Sequence, residues 1–94
     1  MAHVTLETAF EIPDAVVFRE LDGEAVLLNL DSGQYFGLNA VGTRIWQLLA
    51  EAKRPQPIID ALLAEYEVSH AELESDVLAL LGQLADRGLI AAVP

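Results

Sequence analysis

The dipeptide Asp22-Gly23 separates two runs rich in β-branched and aromatic residues, and Asp31-Ser32-Gly33 separates the second run from a third. A two-residue Asp-Gly connection is a strong short-range hairpin signal, because its backbone twist matches that of the antiparallel strands it joins. The spacing predicts strands over residues 16–21, 24–30 and 34–38, joined locally into an antiparallel meander. In the third strand, alternation sends Phe36 and Leu38 to one face, toward the core, and Tyr35 and Gly37 to the other.

The rest of the chain follows helical periodicity. Asn39 stands where an N-cap belongs, ahead of Val41, Ile45, Trp46, Leu48 and Leu49 at three-to-four spacing. Gly42 in that first turn lowers helix propensity, which points to close packing against another backbone. The segment "AKRPQP" ends the first helix. Pro57 suits the first turn of a second helix with an apolar stripe of Ile58, Ile59, Leu62, Leu63 and Tyr66. Ser69 to Glu72 has the spacing of a capping box and starts a third and longest helix, which ends near Arg87 and Gly88. Leu89 and Ile90 then add a short closing strand or cover the core. A sheet followed by three helices makes one α+β unit.

Composition limits the function classes. Ninety-four residues suit one domain, and 53% apolar content in periodic runs argues for a folded chain despite a net charge of −10. There is no cysteine for disulfides or thiolate metal sites. The first residues lack the basic and apolar regions of a signal peptide, and no run approaches a membrane span, so a cytoplasmic protein with no membrane partner is expected. Residues 55–94 hold seven Asp or Glu against the single Arg87. Such a surface repels a phosphate backbone, so nucleic acid is not an expected partner.

Catalytic chemistry has no evident home. His3 belongs to a terminus expected to fray, and His70 opens a helix whose dipole opposes its protonation. Ser69 reads as a cap and not a nucleophile. Glu72, Glu74, Asp76 and Asp86 spread around more than one helical face, as a solvated acidic surface does and a metal site does not. No phosphate-cradling glycine loop is present. We therefore expect no catalytic residue, metal or cofactor.

Two elements carry more than folding requires. On the third helix, Leu73, Val77, Leu80 and Leu84 form the expected core seam, while Leu78, Leu81 and Ala85 widen the apolar face. That face is either buried on a second side or lines a groove for a partner. If the strand over 34–38 is the meander's edge, its unpaired N–H and C=O groups offer a template for another strand, with Tyr35 either a contact or a plain surface aromatic. A strand-paired homodimer is a further consequence of such an edge.

The run "VLLNLDSGQYFGLNAVGTRIWQLL", followed by "IIDALLAEY" and "DVLALLGQLADRGLI", resembles the PqqD family, named for pyrroloquinoline quinone biosynthesis protein D. The likeness spans about residues 15–91. Its specific parts are the G-x-Y-F-x-L-N strand-to-helix junction, the G-x-x-I-W-x-L-L helix and the L-x-x-L-x-x-x-G-L-I ending, which occur together and in order. The resemblance implies a winged-helix-like module of three strands and three helices, residues 15–94 here, after a partly ordered N-terminal extension over 1–14. It implies a non-catalytic module that takes the leader segment of a ribosomally made precursor peptide as a strand on the third β-strand and against the third helix. Carried onto this chain, the site comprises Gln34, Tyr35, Phe36, Gly37 and Leu38, with Leu78, Leu81 and Ala85 on the helix, and Trp46 has a structural role. The "YFGLN" and "IW" pattern is also similar to stand-alone lasso-peptide recognition proteins. The implied partner is then a leader peptidase and cyclase, or, in the quinone pathway, a radical S-adenosylmethionine enzyme. The alternative to a leader-binding module is a winged-helix DNA-binding regulator, which would need a basic recognition helix.

Overall fold

A computed structural model describes residues 4–93; His3 lies outside the described residues. Strand β1 (Ala9–Glu11) is followed by β2 (Val16–Leu21), β3 (Glu24–Asn29), β4 (Tyr35–Leu38), helices α1 (Ala40–Ala52), α2 (Pro55–Glu65) and α3 (His70–Asp86), and β5 (Ala91–Val93). The antiparallel three-stranded sheet runs β2-β3-β4, so β4 is an edge, and the three helices follow it as expected. Leu21 pairs with Glu24 across a turn in which Asp22 (φ 55°) and Gly23 (φ 80°) are both left-handed. That is the geometry of a type I′ hairpin, and it explains why Asp-Gly stands there.

A second, two-stranded sheet joins β1 to β5. Residues 9–11, within the expected N-terminal extension, thus pair with the far end of the chain, and Phe10 is driven into the core at 2% exposure. Leu89 and Ile90 are equally buried and lead directly into β5.

Burial along β3 alternates, with Ala25, Leu27 and Asn29 inward. The helices cover that face: Ile45, Trp46 and Leu49 from α1, Ile58, Ile59 and Leu62 from α2, and Leu73, Val77, Leu81 and Leu84 from α3 form one core with Leu27 and Leu38. Trp46 is buried and stacks on Phe18 of β2, with centroids 6.4 Å apart and rings 17° from parallel. An offset pair of this kind adds about 0.5–1.5 kcal/mol to the area it buries. Pro55 takes the first position of α2, and Pro57 lies in its first turn as expected. Arg44 of α1 holds Glu65 at the end of α2 through paired bonds of 2.7 and 2.9 Å. The guanidinium keeps that carboxyl below its ordinary range.

Both caps read from the sequence are made. Asn39 Oδ1 accepts from the Gly42 N–H at 2.8 Å, and Ser69 Oγ accepts from the Glu72 N–H at 3.2 Å. A β-carbon on Gly42 would sit 3.2 Å from Leu38 Cδ2 and 3.3 Å from Asn39 Oδ1. The glycine therefore leaves room for the Leu38 and Asn39 side chains, not for another backbone as expected, at the cost of local helix propensity.

Among the described residues, the Thr43 hydroxyl is buried without a hydrogen-bond partner. A buried, unpaired hydroxyl forfeits its hydration with no return. Thr43→Val keeps the side-chain shape and removes the unmet group, so it is expected to stabilise the fold by about 1 kcal/mol. The check is the shift of the urea unfolding midpoint at unchanged slope.

Candidate functional site

Strand β4 pairs with β3 through Leu38–Ala25, Gly37–Val26, Phe36–Leu27 and Tyr35–Leu28. One step further, the Asn29 N–H donates to the Gln34 carbonyl at 2.9 Å. Hydrogen-bonded and non-bonded pairs alternate along an antiparallel ladder. Phe36 and Leu38 therefore turn their backbone polar groups toward β3, whereas Tyr35 and Gly37 turn theirs to the open edge. Each of these two offers one N–H and one C=O that the sheet does not use. Side chains alternate along the strand in the same register: Tyr35 is 69% exposed, and Leu38 is buried.

Asn29 fixes where this edge lies. Its Oδ1 accepts from the N–H groups of Asp31 (2.9 Å) and Ser32 (3.2 Å), closing the turn before β4. Its Nδ2 donates to the Gly88 carbonyl at 2.8 Å, just beyond α3. Gly88 is itself left-handed (φ 72°), and the bonds Gly88 N–H to Ala85 O and Leu89 N–H to Leu84 O make the paired helix-ending motif in which glycine is favoured. The β3–β4 turn and the end of α3 are thus fastened by one side chain. Nothing singled Asn29 out by motif; the available signal was a polar residue at an inward position of β3.

Two open clefts flank β4 on the side facing α3. One, of about 410 Å³, is lined by Gly33, Gln34, Tyr35, Phe36, Gly37 and Arg87. The other, of about 430 Å³, is lined by Phe36 to Asn39, by Val41, Gly42 and Ile45 of α1, and by Asp76 and Leu80 of α3. The Arg87 guanidinium lies over the Phe36 ring, 5.1 Å from its centroid. This contact contributes about 0.5–1 kcal/mol at an exposed site and holds a cation beside the edge.

Gln34, Tyr35, Phe36, Gly37 and Leu38 line these clefts, whereas the helix residues named with them, Leu78, Leu81 and Ala85, do not. Leu81 is wholly buried in the core and has no surface to offer. Leu78 and Ala85 are half-buried, but at about 100° per residue they stand about 160° and 140° around α3 from Leu80. Neither is among the residues lining the clefts beside β4. Leu80, expected in the core seam, instead faces the cleft, and Leu81 takes its place in the seam. A wheel drawn from sequence shows the width of an apolar face but not which flank the sheet edge meets.

Residues 24–90 match the family model described as coenzyme PQQ synthesis protein D. The chain belongs to the PqqD family. Within the family's range of relatives, it is 49% identical to TbiB1, solved in complex with the TbiA(β) leader peptide, with a TM-score of 0.82 over 89% of this chain and 98% of that one. It is 31% identical to a lasso peptide synthetase B1 complexed with the leader peptide, with a TM-score of 0.78 over 92% of this chain and 99% of that one. A PqqA binding protein of Rhodopseudomonas palustris is 42% identical over 50 residues, 53% of this chain and 49% of that protein. The chain thus aligns with about half the length of this curated relative. Among the described residues, no group of three or more His, Asp or Glu side chains could hold a metal, and no helix is long and apolar enough to cross a membrane.

If Asn29 sets the position of the edge, Asn29→Ala leaves the Gly88 carbonyl and two turn N–H groups without their partner. The expected loss is about 2–3 kcal/mol of stability. Amide exchange should accelerate first at residues 31–34 and 88–89, ahead of the core.

Proposed function

We propose that this PqqD-family chain is a non-catalytic recognition module for the leader segment of a ribosomally synthesised precursor peptide. The leader adds as a strand to β4 and packs its inward side chains against α3. The observation that carries this reading is the free edge at Tyr35 and Gly37 beside a cleft floored by Phe36, Leu38, Ile45 and Leu80. Up to four backbone hydrogen bonds form there at about 0.5–1.5 kcal/mol net each, largely independent of leader sequence. Selectivity then rests on the side chains that enter the clefts, as in other strand-addition complexes.

Near-complete alignment with two B1 proteins solved with leader peptides favours a lasso-type pathway. In that setting the bound precursor is presented to a leader peptidase and a cyclase; a radical S-adenosylmethionine enzyme takes that place in the quinone pathway. Leader binding closes the edge, so pairing of two copies through β4 and leader binding exclude one another. The acidic exposed residues of α3 give no support to the DNA-binding alternative.

Tyr35→Pro tests the strand. The substitution removes an N–H that faces the open edge and not the β3 ladder, so the fold survives while one ligand bond is lost and the ring crowds the incoming backbone. The expected result is a Kd for the synthetic TbiA(β) leader peptide raised about tenfold or more, with an unchanged far-ultraviolet spectrum. Equal affinity in the folded variant would remove the strand-addition mechanism.

A further inference from the structure

We infer that the leader site does not end with β4 but continues into a second hollow, which takes residues N-terminal to the added strand: an apolar side chain with a Lys or Arg beside it. This deepens the leader-binding reading and rests on it. The hollow, of about 220 Å³, lies between the start of α1, the α2–α3 connection and the first turns of α3, and is lined by Val41, Tyr66, Val68, Glu72, Leu73 and Asp76.

Continuity is the first argument. Val41 and Asp76 line both this hollow and the cleft beside β4, so the two form one path along α3. Glu72, Asp76 and Leu80 recur every four residues and share one side of the helix. From Leu80 back to Leu73 is about 10 Å along the axis, a distance that about three extended residues span. A peptide leaving the β4 edge therefore reaches the hollow without a turn.

Exposure is the second. Val41, Tyr66 and Val68 are 42%, 38% and 42% exposed, yet they gather around a single depression. The core does not use these surfaces. An apolar side chain placed among them would be covered on several sides.

Direction and charge complete the assignment. Strand β4 runs from Tyr35 toward α1, and antiparallel pairing, which β4 already makes with β3, is the commoner arrangement. An antiparallel ligand has its N-terminal side beyond Leu38, toward the hollow. The rim there carries the Glu72 and Asp76 carboxylates, neither in an ion pair among the described residues, while Arg87 stands at the opposite end of the path. The field along the groove thus favours a basic N-terminal flank and an acidic C-terminal one.

The test uses the whole chain, the synthetic TbiA(β) leader peptide and a series shortened stepwise from its N-terminus, with Val68→Ser and Tyr66→Ser as separate variants. Both substitutions lie outside the strand cleft, and Val68 sits in a connection, so at least one variant keeps the native melting profile. The expected result has three parts. Wild-type affinity falls about tenfold at one step of N-terminal shortening. Each variant weakens the intact leader to a similar degree, yet leaves peptides shortened beyond that step unaffected. Glu72→Gln with Asp76→Asn weakens the intact leader at low salt but not at high salt.

Unchanged affinity of the folded variants for the intact leader would overturn the inference, as would equal losses on intact and shortened peptides. A step found on C-terminal shortening instead would overturn it as well. In all three cases strand addition at β4 would stand. A wild-type chain that binds none of the peptides would reject the leader reading itself, and the hollow with it.

Discussion

The side chain of Asn29 is the joint on which the binding face depends. Its carbonyl oxygen gathers two turn N–H groups, and its amide donates to the carbonyl of Gly88 beyond α3. Because the group is nearly enclosed, water is poorly placed to replace any bond that is lost, so none can be given up cheaply. The consequence is geometric. The entry of β4 is held beside the end of α3, and the space between strand and helix becomes a fixed cleft and not a variable gap.

At the other end of β4 the same strand is anchored differently. Leu38 is buried, Asn39 caps α1, and Gly42 admits the Leu38 side chain at a distance that a β-carbon would contest. Between these two anchors lie only Tyr35, Phe36 and Gly37, and the polar groups that Tyr35 and Gly37 turn to the open edge are not used by the sheet. An unpaired edge invites aggregation. The charge of −10 opposes close approach of two copies while leaving a peptide free to enter.

In the proposed reading, strand addition also lets one small module serve precursors of different sequence. Backbone hydrogen bonds supply affinity without reading side chains, and the clefts around Phe36, Leu80 and Arg87 supply the selection. In that reading the module needs no nucleophile or metal, because its proposed task is to raise the local concentration of a substrate for another protein.

Much of this was legible in the amino-acid sequence, because it depends on interactions between residues close along the chain. Asp22-Gly23 dictates a hairpin, Asn39 and Ser69 cap helices, Gly88 ends one, and alternation orients Tyr35 through Leu38; the meander, the three helices and the edge strand follow from these. The β1–β5 pairing was not legible, since three-residue strands at opposite ends of the chain carry no local signature. Nor was the flank of α3 that meets the cleft. Leu78, Leu80, Leu81 and Ala85 are all apolar, and only the packing of α3 against sheet and helices buries Leu81 and turns Leu80 outward. Asn29 and Arg87 gained their roles in the same way, through partners 59 residues away for Asn29 and on another element for Arg87. Periodicity set the elements, and the crossing of helix over sheet, decided by the shape of the common core, chose which side chains face the clefts.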